Sequence, residues 1–188
     1  MFDAGLEAVV TKKGGRGRSV EGIDRFDLAI RELDARPGDR ILEIGCGSGE
    51  ALLRLSLQAP GLDLTGLDRS QVAIRRAGAR LARRNPGGRV ALIEGELPGA
   101  GGPRGLDRIF AINVNRFWIR PDGLFDDVLS RLRPNGLLLL VYEAPGAEKA
   151  VEIRKKLLAA TRRPDLRLDE PAVGSDPRQL CIKGVRAP

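Results

Sequence analysis

The chain has 188 residues, a formal net charge of +7 and 42% hydrophobic residues, which supports one domain with a proper core and excludes intrinsic disorder. It has no histidine, and its two cysteines, Cys46 and Cys181, lie far apart and form no CxxC unit. Ser-His-Asp triads and histidine-bearing zinc sites are thereby excluded, and no metal site is expected. No apolar run approaches the ~20 residues of a membrane span. The first ten residues lack the basic-then-apolar pattern of a signal peptide. A reducing cytoplasm, with no membrane partner, is the expected location.

In chain order, 11–19 (TKKGGRGRS) is Gly-rich and basic. It marks residues 1–19 as a flexible arm ahead of a single domain over 20–188. A helix is predicted over 20–35, where Ile23, Phe26, Ile30 and Leu33 recur at helical spacing before Pro37-Gly38. A strand follows at 40–44, a helix at 49–58 and a strand at 62–67 ending against Asp68. Ser70 caps a helix running to about residue 84, closed by Asn85-Pro86-Gly87. Strands are predicted at 89–93 and 106–112, and a helix at 122–132. The most apolar strand follows at 137–142, then a helix at 147–161 and two strands at 166–168 and 180–185. The stretch 99–105, rich in glycine, is a surface loop. Strands alternating with helices imply an α/β fold: a Rossmann-like, doubly wound, mostly parallel seven-stranded sheet with helices on both faces. Ligands on such sheets bind at the carboxyl ends of the strands.

Three glycines, Gly45, Gly47 and Gly49, follow the first strand and open the next helix. They allow a backbone to approach a nucleotide-like ligand closely. The dinucleotide fingerprint G-x-G-x-x-G is not met, because the third glycine comes one residue early. Glu43, two residues before the first glycine, would repel a pyrophosphate. At ~4 Å and an effective dielectric of about 20 such a like-charge contact costs about 4 kcal/mol. The carboxylate suits a cationic ligand instead. Asp68 is placed to accept the two hydroxyls of a ribose.

These motifs resemble those of the class I S-adenosylmethionine-dependent methyltransferases, in particular a bacterial small-molecule-type branch. The first motif is similar to Glu43-Ile44-Gly45-Cys46-Gly47-Ser48-Gly49 and the second to Gly66-Leu67-Asp68-Arg69-Ser70. The segment from Val90 to Pro98, with Gly95, Glu96 and Leu97, resembles the strand and loop that flank the adenine. The stretch from Leu106 to Asn113 resembles the fourth strand, and Leu132-Arg133-Pro134-Asn135-Gly136 the turn into the fifth. The resemblance implies S-adenosyl-L-methionine as cofactor, held by Glu43, Gly45, Cys46, Gly47, Gly49, Asp68, Arg69, Gly95, Glu96, Leu97 and Asn113. Two departures stand out: Glu96 replaces the usual aspartate after Gly95, and Asn135 replaces a glycine.

The implied reaction is methyl transfer to a small-molecule acceptor. Asn113 to Trp118 follows the fourth strand, so Asn115, Phe117 and Trp118 are the candidate acceptor contacts. Asn113, Asn115, Tyr142, Glu143 and Asp122 are the polar groups near strand ends available for catalysis. None is marked out by spacing. Asn113-Val114-Asn115-Arg116 lacks the two prolines of the loop that adenine-base and glutamine N-methyltransferases carry. The isoelectric point near 10.1 and the arginines at 75, 76, 80, 83 and 84 leave an RNA methyltransferase as the alternative enzyme. Such a run is also what a solvated outer helix face looks like, so nucleic acid is not the favoured partner. A domain that binds the cofactor without turnover is the non-enzymatic alternative. The sequence leaves the oligomeric state open.

Overall fold

Strands as continuously apolar as 106–112 and 137–142 must be buried on both faces, which requires a helical layer on each side. The computed structural model describes residues 23–169 and 176–188, and its elements build that arrangement. They are α1 (Arg25–Leu33), β1 (Arg40–Ile44), α2 (Glu50–Gln58), β2 (Asp63–Asp68), α3 (Gln71–Arg84), β3 (Val90–Glu94) and β4 (Leu106–Ile112). These are followed by α4 (Arg116–Ile119), α5 (Leu124–Arg131), β5 (Leu132–Glu143), α6 (Ala147–Ala160), β6 (Leu166–Leu168) and β7 (Gln179–Arg186). Among the described residues the sheet has seven strands in the order β3-β2-β1-β4-β5-β7-β6. The pairs from β3 through β5 are parallel, and β7 runs antiparallel to both β5 and β6. Strand order reverses between β1 and β4, which puts the binding crevice at their carboxyl ends.

Alternation along each strand sorts the core into two layers. On one face Leu28 and Leu33 of α1 and Leu52 and Leu55 of α2 meet Ile41, Leu64 and Phe110. On the other, Phe117, Phe125 and Val128 of α4 and α5, with Ile153 and Leu157 of α6, meet Leu42, Ile109 and Leu140. No helix among the described residues is long and apolar enough to cross a membrane.

The structure adjusts three expectations, while the basic arm over 1–19, and the first residues of the helix expected from 20, lie outside the described residues. Within them α1 starts only at Arg25, because the Asp24 side chain accepts the Phe26 and Asp27 N–H groups and fixes the N-cap. It ends at Asp34 in a left-handed conformation. A short helix, α4, occupies the stretch after β4, where the sequence predicts no element before 122. β5 extends back to Leu132, which pairs with Leu106 across a register irregularity in which Asn135 takes φ 61°. Asparagine tolerates that conformation, so its replacement of a glycine there is accommodated.

Candidate functional site

β1 delivers the chain into a left-handed turn at Gly45 (φ +71°), where a Cβ would lie 2.6 Å from Val114 Cγ2. The turn after β1 therefore presses directly on the turn after β4, and only glycine fits. At Gly49 (φ +76°) a Cβ would lie 3.0 Å from that of Ala77, so this glycine lets α2 approach α3. Between them the Gly47 N–H donates to Asp68 Oδ2 at 2.9 Å, and the Ser70 N–H donates to Oδ1 at 2.8 Å. A carboxylate has about four lone-pair sites. Asp68 is thus locked in place by two backbone bonds with acceptor capacity left over.

A cavity of about 660 Å3 opens over these turns. Gly45 and Asp68 form part of its wall, with Arg69, Gly95, Glu96 and Leu97 from the β2 and β3 ends. Asn113 and Asn115 close it from the β4 end. Eight of the expected site residues are thereby brought to one cavity.

The remaining expected residues lie elsewhere. Glu43 is buried beneath the glycine turn, on the Ile41 side of β1, with one carboxylate oxygen lacking a hydrogen-bond partner. Desolvation, with Asp68 nearby, holds its carboxyl well above the ordinary carboxylate range, against the pull of the Leu52 N–H. Cys46 packs in the core under the loop, and burial pushes its thiol up to about 12. Gly47 and Gly49 shape the turn from behind rather than walling the cavity. Phe117, expected to face an acceptor, is instead fully buried, its ring edge-on to Phe125 at 5.4 Å. The short α4 turns it inward, because so large an apolar surface gains most in the core. Trp118 is half-buried on the α6 side, where the Lys149 and Lys156 ammonium groups stand 5.1 and 5.2 Å from its ring. Its indole N–H donates to Asn115 Oδ1 at 3.3 Å.

The polar groups offered for catalysis have structural duties. Tyr142 is 1% exposed, its hydroxyl donates to the Val114 carbonyl at 2.5 Å, and burial raises its pKa far above the ordinary phenol value. Glu143 pairs with Arg25 at 3.2 Å. Asn113 is left-handed (φ 57°), and its Oδ1 accepts the Glu143 N–H at 2.8 Å, tying the ends of β4 and β5. Asp122 is exposed ahead of α5. In the arginine-rich helix α3, Arg80 is engaged by Glu50 and Arg75 by Gln71, while Arg76, Arg83 and Arg84 point outward.

Sequence reasoning did not single out Arg116 and Arg120, which line the cavity from the start and the C-cap of α4. Two arginines so soon after the fourth strand are the signal that points to them. It also left out Arg131, which is 3% exposed, pairs with Asp127 and donates to the Ala100 and Gly101 carbonyls. Arg131 thereby pins the 99–105 loop, and Ala100 in turn covers Gly95, where a Cβ would lie 2.8 Å from it.

Comparison with known proteins agrees with this fold. The family described as "Methyltransferase domain" matches residues 42–138, from the middle of β1 into β5. The chain is 30% identical over 120 residues to the mitochondrial ubiquinone biosynthesis O-methyltransferase of Schizosaccharomyces pombe, covering 63% of this chain and 43% of that protein. It is also 30% identical over 131 residues to the carboxy-S-adenosyl-L-methionine synthase of Aeromonas salmonicida, covering 65% and 52%. The chain thus spans about half the length of these curated relatives. In fold it is similar to a SAM-dependent methyltransferase from Aquifex aeolicus (TM-score 0.71, 15% identity, 86% of this chain and 89% of that one). It is likewise similar to a geranyl diphosphate methyltransferase seen with sinefungin (TM-score 0.70, 13% identity, 87% and 77%). With more than half of its residues matched in order by the family model, the chain belongs to the methyltransferase domain family.

Proposed function

We propose that the chain is an S-adenosyl-L-methionine-dependent methyltransferase, acting in the cytoplasm on a small-molecule acceptor. The observation that carries this reading is the convergence of Gly45, Asp68 and the Gly95–Leu97 loop on one cavity at the switch point of the sheet. The residues fit the cofactor. Asp68 has lone pairs left for a ribose diol, Glu96 and Leu97 offer an acceptor and an apolar edge to a purine, and the bare Gly45 backbone admits a close ligand. Glu43, with an unpartnered buried oxygen below the turn, gains from a cation seated above it. Both cysteines are free and buried, in keeping with a reducing compartment.

When bound, the cofactor supplies a methyl group already attached to a good leaving group. The chain then contributes position and water exclusion. Val114 and Asn113, at the junction of the β1 and β4 turns, set the floor against which an acceptor is aligned. With Tyr142 committed to Val114 and Glu143 to Arg25, neither is free to take a proton. This favours an acceptor atom that is nucleophilic without a strong base.

Calorimetry with S-adenosylmethionine, S-adenosylhomocysteine and NAD tests the reading. Binding of both sulfur ligands is the expected result. A response to NAD with none to either sulfur ligand would sink it.

A further inference from the structure

Three guanidinium groups, those of Arg69, Arg116 and Arg120, line the cavity against two carboxylates, Asp68 and Glu96. Among the described residues none of the three donates a side-chain hydrogen bond to the protein. Glu96 stands 3.6 Å from Arg116 and 4.0 Å from Arg69, near enough to orient them and too far for a bond. The Arg116 Nε–H is shielded from solvent and has no partner at all. Arg116 opens α4 and Arg120 caps its C-terminal end, and both line the cavity. Each presents a planar fork that matches a carboxylate or a phosphate.

We propose that the methyl acceptor carries an anionic group, a carboxylate or a phosphate, and that Arg116, which opens α4, and Arg120, which caps it, hold it in the cavity. The assignment rests on the methyltransferase reading above. If Asp68 takes a ribose and Glu96 a purine edge, both cavity carboxylates are used. The three guanidinium groups still outnumber the two carboxylates, which leaves a net positive wall beside the space left for the acceptor. A cationic acceptor meets repulsion there, whereas an anionic one pairs with the guanidinium groups. Arg69, at 77% side-chain exposure, adds to the field at the rim rather than to the grip.

The test uses the full chain saturated with S-adenosylhomocysteine and titrated calorimetrically with malonate and, separately, with inorganic pyrophosphate. Saturable binding of at least one anion is expected. Malonate alone marks a carboxylate acceptor, pyrophosphate alone a phosphate, and binding of both supports the site without dividing them. Arg116→Gln and Arg120→Gln are each expected to weaken that binding about tenfold, the loss from one charge-assisted contact. The Arg→Lys versions should keep part of it, and thermal melts of all four variants verify folding. Three results overturn the proposal: neither anion saturates, affinity survives in the double Gln variant, or anion binding to the free protein disappears once S-adenosylhomocysteine is added. The last would give the arginines to the cofactor's own carboxylate. Failure of S-adenosylhomocysteine itself to bind overturns the methyltransferase reading instead. The same substitutions are then read in the unliganded protein.

Discussion

Asp68 and Glu43 are both acids close to the glycine turn, yet they do opposite things. Asp68 is held by the Gly47 and Ser70 N–H groups and keeps acceptor sites for a ligand. Asp68→Ala should weaken S-adenosylhomocysteine binding by about 1.5–3 kcal/mol, the range for hydrogen bonds to a charged group. Unchanged affinity in calorimetry would place the ribose elsewhere. Glu43 is buried with its pKa raised, so the folded protein keeps a proton that the unfolded chain has already released. Its contribution to stability is present below the ordinary carboxyl pKa and is lost as pH rises toward the folded value. Stability of the wild type should fall by about 1.4 kcal/mol per pH unit across that window through this group. Glu43→Gln should lack the decline and melt at a higher temperature than wild type at neutral pH. A variant melting in parallel with wild type from pH 5 to pH 8 would show that Glu43 is ionised in the fold.

At the scale of elements, the strand–turn–helix unit from β1 to α2 is legible in the sequence because its signals are local. Apolar alternation ends in glycines whose left-handed φ few other residues adopt. Gly45→Ala should cost about 1–2 kcal/mol for the left-handed backbone alone. The Val114 clash comes in addition, and Val114→Ala should recover only that steric part in denaturant melts. The same legibility fails where the deciding contact is distant in sequence. Nothing around Phe117 tells that Phe125 will bury it, and nothing around Arg131 tells that it will reach back to Ala100 and Gly101. Arg131→Met should destabilise by about 3–5 kcal/mol, because Asp127 is left unpaired and the loop carbonyls lose their donor. Arg131→Met combined with Asp127→Leu should recover much of that loss, since an apolar pair of similar volume often replaces a buried ion pair at little cost. If the double variant is no better than the single, the loop contacts rather than the charge pair carry the energy.

For the molecule as a whole, the alternation of strands and helices makes the α/β class readable, and the order of motifs locates the binding edge. The antiparallel entry of β7 is not readable, because a strand's direction depends on a path through space that its own residues do not encode. A ligand that binds only the folded state should raise its stability. S-adenosylhomocysteine at about 100 times its Kd adds about 2.7 kcal/mol. For a chain of this size that is a Tm rise of roughly 5–11 °C. A flat melting profile across the titration would contradict the cavity assignment. The position of β7 has a further consequence during synthesis. Every residue lining the cavity lies between Ile44 and Leu124, whereas β7, wedged between β5 and β6, begins only at Gln179. A nascent chain therefore owns its complete binding edge while one flank of its most apolar strand is still bare, and such an edge is a template for pairing with another chain. The same late strand reaches back to the front, where the Gln179 side chain donates to the Ile23 carbonyl at 2.8 Å. Translation thus finishes the site well before it fastens the sheet, and in the interval a growing polypeptide is at its most vulnerable to joining its neighbours.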